Sequence, residues 1–209
     1  MDSPNVQKSK WPSYVDFLIR LTLLVAIVMY IFLGDWQSVF GTTGIFLVIL
    51  LPTLLREKFN VHMPRRIDAS VAIFVFLSVF LGSVADFYEK FPWWDGALHF
   101  KSGLLLGILG FLVVYSMNMS RPGKISMSPG FIAFFSVCFS LAVSVFWEIY
   151  EYVMDTWFGY TMQETGLPDT MGDLIINAVG AIIIGVVSYF WMKKEKTVPF
   201  TPVSIKETV

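Results

Sequence analysis

The stretch Phe146-Trp147-Glu148-Ile149-Tyr150-Glu151-Tyr152-Val153-Met154-Asp155 ends an apolar run that begins near Phe131. In a helix, the spacing i, i+3 and i+7 keeps Glu148, Glu151 and Asp155 on one face over about two turns. Charged groups at the edge of a membrane helix are costly, and they usually face protein or water. The stretch therefore predicts an acidic site at the end of a membrane helix, although three interfacial charges would give the same pattern.

Two further segments carry matching polar groups, and each precedes or opens an apolar run. In Asp95-Gly96-Ala97-Leu98-His99 the acid and the imidazole share a helical face, and Asp169, Asp173 and Asn177 repeat every four residues. The aspartates could simply cap helix starts or favour the helix dipole. His99 is either a packed polar residue or a metal ligand or proton shuttle oriented by a carboxylate.

The composition places the chain in a membrane. Hydrophobic residues make up 56% of the 209 residues, and the mean hydropathy of +0.66 is too high for an ordinary soluble domain. The net charge of −1 gives no reason to expect nucleic acid as a partner. Cys138 is the only cysteine, which excludes an intrachain disulfide and a thiolate metal cluster.

Apolar stretches of the length that spans a bilayer, about 20 residues, indicate the fold class. We expect an all-α polytopic membrane protein with both termini in the cytoplasm. Residues 1–209 would form a single membrane domain, with 154–172 as the longest connection and 193–209 as a flexible cytoplasmic tail. The six predicted helices are 15–34, 36–55, 69–86, 97–118, 130–153 and 173–192.

The distribution of lysine and arginine predicts the orientation. One side of the membrane receives twelve of these residues, whereas the loops of the other side receive only Lys90. The positive-inside rule places the basic side in the cytoplasm and predicts a multi-pass protein of the cytoplasmic (inner or plasma) membrane. The twelve are Lys8, Lys10, Arg56, Lys58, Arg65, Arg66, Arg121, Lys124, Lys193, Lys194, Lys196 and Lys206.

The same topology gathers ten of the sixteen acidic residues at the outer ends of the helices. Four helix ends, marked by Asp86, His99, Glu148 and Asp173, should then converge on one outward-facing acidic pocket. The candidate catalytic residues are Glu148, Glu151, His99 and Asp173. The candidate metal ligands are Asp95, His99, Glu148, Glu151, Asp169 and Asp173, and the candidate substrate contacts are Lys101, Asn177, Trp94 and Trp147.

Each set has a simpler interpretation. The tryptophans are typical of the aromatic belt at a membrane interface, and Lys101 could pair with a carboxylate of helix 130–153 instead of binding an anionic headgroup. If a cofactor binds, oxygen ligands with one imidazole would suit Mg²⁺, Mn²⁺ or Zn²⁺.

These motifs also carry a resemblance. Asp95-x-x-x-His99-Phe100-x-x-Gly103, Trp147-Glu148-x-x-Glu151 and Asp169-Thr170-x-x-Asp173 resemble the YjdF family of bacterial inner-membrane proteins and, more distantly, VanZ-type proteins. The resemblance covers roughly residues 86–190. VanZ-like sequences typically have Gln where Glu151 stands and a basic residue where Gly96 stands. The resemblance implies a small polytopic membrane protein, without a settled reaction.

Three classes of function follow from these observations. The first is an enzyme or binding protein that acts on an amphiphile, such as a lipid or a polyprenyl-linked envelope precursor. A divalent cation held by carboxylates and His99 would polarise a phosphate or activate water. The second class is a cation- or proton-coupled transporter, and the third is a non-catalytic membrane partner protein.

Overall fold

A computed structural model describes residues 11–58, 66–84, 86–120, 127–163 and 165–194. These residues form long helices joined by short connections, which confirms the all-α polytopic class. The helix Arg66–Val75 continues without a break into a π-helical segment, Phe76–Val84. The helices are α1 (Trp11–Leu33), α2 (Trp36–Lys58), α3 (Arg66–Val75), α4 (Phe87–Lys90), α5 (Trp94–Ser120), α6 (Pro129–Phe158) and α7 (Leu167–Lys194).

The predicted helices correspond to observed ones with shifted bounds. Among the described residues, four helices are long and apolar enough to cross a membrane, and they lie within α2, α5, α6 and α7. The apolar parts of α1 and of α3 with its π extension, Phe17–Leu33 and Ile67–Gly82, are shorter. The short helix α4 was not predicted, and residues 195–209 of the predicted tail lie outside the described part of the chain.

The predicted connection 154–172 was too long. The helix α6 continues to Phe158 and ends at Gly159, whose φ of 74° suits glycine. The carboxylate of Asp155 accepts the backbone N–H groups of Met162 and Gln163 at 2.7 and 2.8 Å. These bonds turn the chain back toward α7, so that both Asp169 and Asp173 lie inside that helix.

The three helices α5, α6 and α7 form a bundle whose polarity is the reverse of a soluble protein's. On α6, Phe146 is 71% exposed and Phe134 is exposed as well, as expected where lipid replaces water. Between Ile132 and Met154, which are also buried, the buried residues of the same helix are small or polar. They include Ser136, Ser140, Ser144, Glu148 and Glu151.

Glycines allow the close approach of α5 and α7. A Cβ atom at Gly103 would overlap the backbone carbonyl of Asn177, and one at Gly180 would lie 2.6 Å from the carbonyl oxygen of Phe100. The two helices therefore touch backbone to backbone, as small residues permit in membrane bundles. This contact determines how far the first turns of α5 and α7 lie from each other.

Near the opposite end, α3 packs against α5 of the bundle, and α1 and α2 pack against α3. Arg56 at the end of α2 donates to both carboxylate oxygens of Asp68 at the start of α3, each at 2.8 Å. An apolar core lies near this end of the molecule. It consists of Ile49, Ile67, Val71, Leu109, Phe111, Leu112, Val114, Tyr115 and Ile132.

Candidate functional site

His99 lies at the centre of the cluster in which the first turns of α5 and α7 meet the last turns of α6. Its Nε2 atom lies 3.7 Å from Oδ1 of Asp95 and 3.9 Å from Oδ2 of Asp173. Its Nδ1 atom lies 3.8 Å from Oε1 of Glu148. Three helices therefore each contribute at least one carboxylate around one imidazole.

The two imidazole nitrogens divide the carboxylates into two groups. Glu148 faces Nδ1, and a carboxylate in that position favours the proton on this nitrogen and orients the ring. The lone pair of Nε2 is then directed toward Asp95 and Asp173. Ligand atoms from Asp95, His99 and Asp173 all lie within 4.8 Å of one another, so that modest side-chain movements would let them share a cation with bonds of about 2.0–2.2 Å.

These groups are buried, and several of their polar atoms lack partners. Glu148 is 4% exposed and Asp173 is 5% exposed. Both oxygens of Glu148 and Oδ2 of Asp173 have no hydrogen-bond partner among the described residues, and neither has the hydroxyl of Ser144 one turn from Glu148. An unpaired buried charge is expensive, which indicates a ligand or proton at this place.

A layer of hydrogen-bonded polar side chains lies beneath the cluster. The side-chain amide of Asn177 donates to Ser102 Oγ at 2.9 Å and to the carbonyl of His99 at 3.5 Å. The hydroxyl of Ser140 lies 3.4 Å from the amide oxygen of Asn177, and Ser136 donates to the carbonyl of Gly107 at 2.6 Å. This layer ties α5 to α6 and α7 and supports the backbone that carries His99.

A cavity of about 400 Å³ opens beside the cluster, between α4 and the first turns of α5 and α7. Its wall includes the carboxylates of Asp95, Asp169 and Asp173 and the aromatic rings of Tyr88, Phe91 and Trp93. Burial, reinforced by the negative charge of Asp95, raises the pKa of Tyr88 above its usual range. The phenol therefore stays protonated and can donate a hydrogen bond.

Other predicted site residues lie outside the immediate surroundings of His99. Glu151 is buried on the same face of α6, where its Oε1 accepts the indole N–H of Trp147 at 2.8 Å. Asp169 lines the cavity one turn before Asp173. The expected convergence of four helix ends is wrong at Asp86. This residue is exposed, and its carboxylate lies 3.6 Å from the amino group of Lys90. The cavity wall includes Tyr88 but not Asp86.

None of the four predicted substrate contacts is part of the cavity wall. Asn177 is fully buried within the bundle, and the indole N–H of Trp147 is occupied by Glu151. Trp94 packs edge-on against Phe87, with ring centroids 4.9 Å apart. Lys101 forms no ion pair with a carboxylate in the described part of the chain, so the predicted pairing with α6 is not seen there.

Tyr88 and Ser144 are candidate site residues that the sequence interpretation missed. A signal for Ser144 exists, since Ser136, Ser140, Ser144 and Glu148 repeat every four residues and therefore share one face. Tyr88 gives no comparable signal, because it lies in a four-residue helix between two longer ones. Its approach to Asp95 depends on how that short helix folds back over α5.

The fold and the buried cluster define an all-helical, multi-pass membrane protein. The family described as "Predicted membrane protein (DUF2238)" matches residues 15–194, and the chain belongs to this family. An uncharacterised protein of Thermotoga maritima is 28% identical over 141 residues, which are 66% of this chain and 69% of the relative. No solved structure matches the chain.

Proposed function

We propose that this protein binds a divalent cation between Asp95, His99 and Asp173 and uses the site to bind or modify a lipid-like amphiphile at the outer surface of the cytoplasmic membrane. The observation that carries the proposal is the pair of buried carboxylates, Glu148 and Asp173, that face opposite nitrogens of His99. Both oxygens of Glu148 and Oδ2 of Asp173 have no hydrogen-bond partner among the described residues. A cation near Nε2 would balance their charge.

The donor set supports a hard or borderline metal. Two carboxylates and one imidazole suit Mg²⁺, Mn²⁺ or Zn²⁺, and Glu148 behind the imidazole would orient the ring. A metal in this position would polarise a phosphate or lower the pKa of a bound water. Tyr88, which also lines the cavity, would donate a hydrogen bond to the bound group.

The location supports an amphiphile as the ligand. The cluster lies at the end of membrane-length helices, and the adjoining cavity has aromatic walls. The resemblance of the motifs to YjdF and VanZ-type proteins agrees with a role in the cell envelope. Transport through the bundle is less well supported, because Gly103 and Gly180 close the interface of α5 and α7 and Ser136 donates to the backbone carbonyl of Gly107.

Elemental analysis of detergent-purified protein tests the metal. We expect about one divalent cation per chain in the wild type, little in Asp173→Asn, and affinity that is roughly 10- to 100-fold lower in Glu148→Gln. Glu89→Gln, which alters an exposed carboxylate, is the matched control and should keep its metal. A wild-type protein without metal after growth in media containing each of the three cations would contradict the proposal.

Reporter fusions test the orientation. Fusions after Arg66 and Lys124 should report the cytoplasm, and fusions after Lys90 and Glu164 should report the exterior. The reason is the excess of basic residues on one side of the predicted membrane topology. If a fusion after Lys90 or Glu164 reports the cytoplasm, the site does not face outward.

A further inference from the structure

The cavity beside His99 is larger than a metal site requires. Its volume of about 400 Å³ falls in the range of sites for small organic ligands, about 300–1,000 Å³. A single divalent cation with its ligands would fill only the part next to Asp95 and Asp173. The rest of the space is therefore available to an organic group, and the chemistry of the wall indicates which kind.

The wall contains several acidic residues. Three carboxylates contribute to it, and no lysine or arginine among the described residues belongs to it. Oδ2 of Asp173, whose residue is 5% exposed, has no hydrogen-bond partner in the described part of the chain. A partly enclosed cleft lined by one sign of charge attracts the opposite charge and repels its own, so that a bare anion is disfavoured and a cation is favoured.

The wall also contains aromatic residues. Phe91 and Trp93 both line the cavity, and their ring centroids lie 5.9 Å apart. Trp93 also packs edge-on against Trp94 at 5.6 Å, which restrains its ring although the residue is 61% exposed. Aromatic faces attract alkylammonium groups through the ring quadrupole, most strongly in tryptophan, whereas they are not ligands for Mg²⁺ or Zn²⁺.

We propose that this cavity binds an organic ammonium group, with the cation between the ring of Trp93 and the carboxylates of Asp169 and Asp173. The proposal deepens the proposed function and rests on it for the position of the site, because Asp95 and Asp173 also serve the metal. It defines the class of ligand: an amphiphile or small molecule that carries an ammonium group, and not a purely anionic one.

A saturation-transfer NMR titration tests the proposal with choline as the probe. The protein is held in a maltoside detergent with excess EDTA, so that binding does not depend on the metal. Choline should bind, whereas its uncharged isostere dimethylbutanol should bind at least severalfold more weakly. Equal binding of the two compounds, or no binding of choline, would overturn the proposal.

Variants separate this proposal from the metal site. Trp93→Leu should weaken choline binding by roughly 3- to 30-fold, and Asp169→Asn should weaken it severalfold. Trp157→Leu replaces a tryptophan that is also exposed but is not part of the cavity wall, and it should bind choline as the wild type does. An unchanged affinity in both Trp93→Leu and Asp169→Asn would place the probe elsewhere and overturn the proposal.

Glu148→Gln distinguishes the two failures. Glu148 does not line the cavity, so this variant should bind metal roughly 10- to 100-fold more weakly and bind choline as the wild type does. A wild-type protein that binds choline but holds no metal would contradict the proposed function and leave the ammonium site supported. A wild-type protein that holds metal but does not bind choline would contradict the ammonium site alone.

The ammonium group could come from a lipid headgroup or from a free cation. The titration is therefore repeated in nanodiscs of phosphatidylglycerol alone and of phosphatidylglycerol mixed with phosphatidylethanolamine. A headgroup that occupies the cavity would weaken the apparent affinity for choline in the mixed discs, whereas a free cation as ligand would give the same affinity in both. Absence of choline binding in both kinds of disc would contradict the proposal.

Discussion

The acidic end of the α5–α7 bundle and its middle bury polar groups in different ways. In the middle, Asn177, Ser140 and Ser136 are completely buried, and each has a partner on a neighbouring helix. At the acidic end, Glu148, Asp173 and Ser144 are nearly as well buried, and they contain atoms without a partner in the described residues. The same three helices therefore hold buried polar groups that are hydrogen-bonded between helices and buried polar groups with atoms that lack a partner in the described residues.

The presence or absence of a hydrogen-bond partner distinguishes a structural polar residue from a candidate ligand in a membrane bundle. A buried hydroxyl or amide that is hydrogen-bonded across helices stabilises the fold modestly. A buried carboxylate without a partner costs stability, and such a cost is commonly retained where a site needs it. Ser188 does not fit the contrast, because it is buried far from the cluster without a partner among the described residues, and nothing in the structure explains it.

The largest effect is expected in the middle of the bundle. Gly103→Ala should destabilise the protein by about 1–3 kcal/mol, because the new methyl group would overlap the backbone of Asn177 and force α5 and α7 apart. Thermal melting in detergent measures the effect. Gly44→Ala is the control: apart from its chain neighbours and the nearby backbone of its own helix, no atom of the described residues lies within 4 Å of the place that its new methyl group would take. It should therefore be neutral or stabilising by up to about 1 kcal/mol. Equal melting temperatures for the two variants would contradict the close packing.

The second prediction compares two carboxylates on α6. Asp155→Ala should cost about 1–3 kcal/mol, because the backbone N–H groups of Met162 and Gln163 would lose their acceptor. Glu148→Gln should leave the melting temperature of metal-free protein equal or higher, because it removes a buried charge without a hydrogen-bond partner. Melting curves in EDTA measure both. A clear loss of stability in Glu148→Gln would assign Glu148 to the fold instead of the site.

The smallest effect is expected for two serines of α6. Ser136→Ala should destabilise by about 0.6 kcal/mol, the average for a hydrogen bond between membrane helices, because its hydroxyl donates to Gly107. Ser144→Ala should cost nothing measurable, since its hydroxyl has no partner among the described residues. Denaturant titrations of the two variants beside the wild type resolve the difference. A larger cost for Ser144→Ala would reveal a structural partner for Ser144.

The sequence by itself determined the class of the protein and the end of the molecule at which its acidic residues collect. Membrane class follows from apolar runs of bilayer length, and the shared face of Glu148 and Glu151 follows from helical spacing. These properties are local, because they depend on composition and on positions within one helix. The spacing also placed Asp155 on this face, but the structure commits its carboxylate to the loop that leads to α7.

Only the tertiary structure decided which groups meet. The rotation of each helix about its axis brings Asp95 and Asp173 to one nitrogen of His99 and Glu148 to the other. The cavity wall does not include Lys101, Trp94 or Trp147. That rotation is set by contacts between distant positions, such as the bond between Asn177 and Ser102, 75 residues apart. Helical periodicity specifies a face of each helix, but the partner of that face depends on backbone contacts at glycines of other helices.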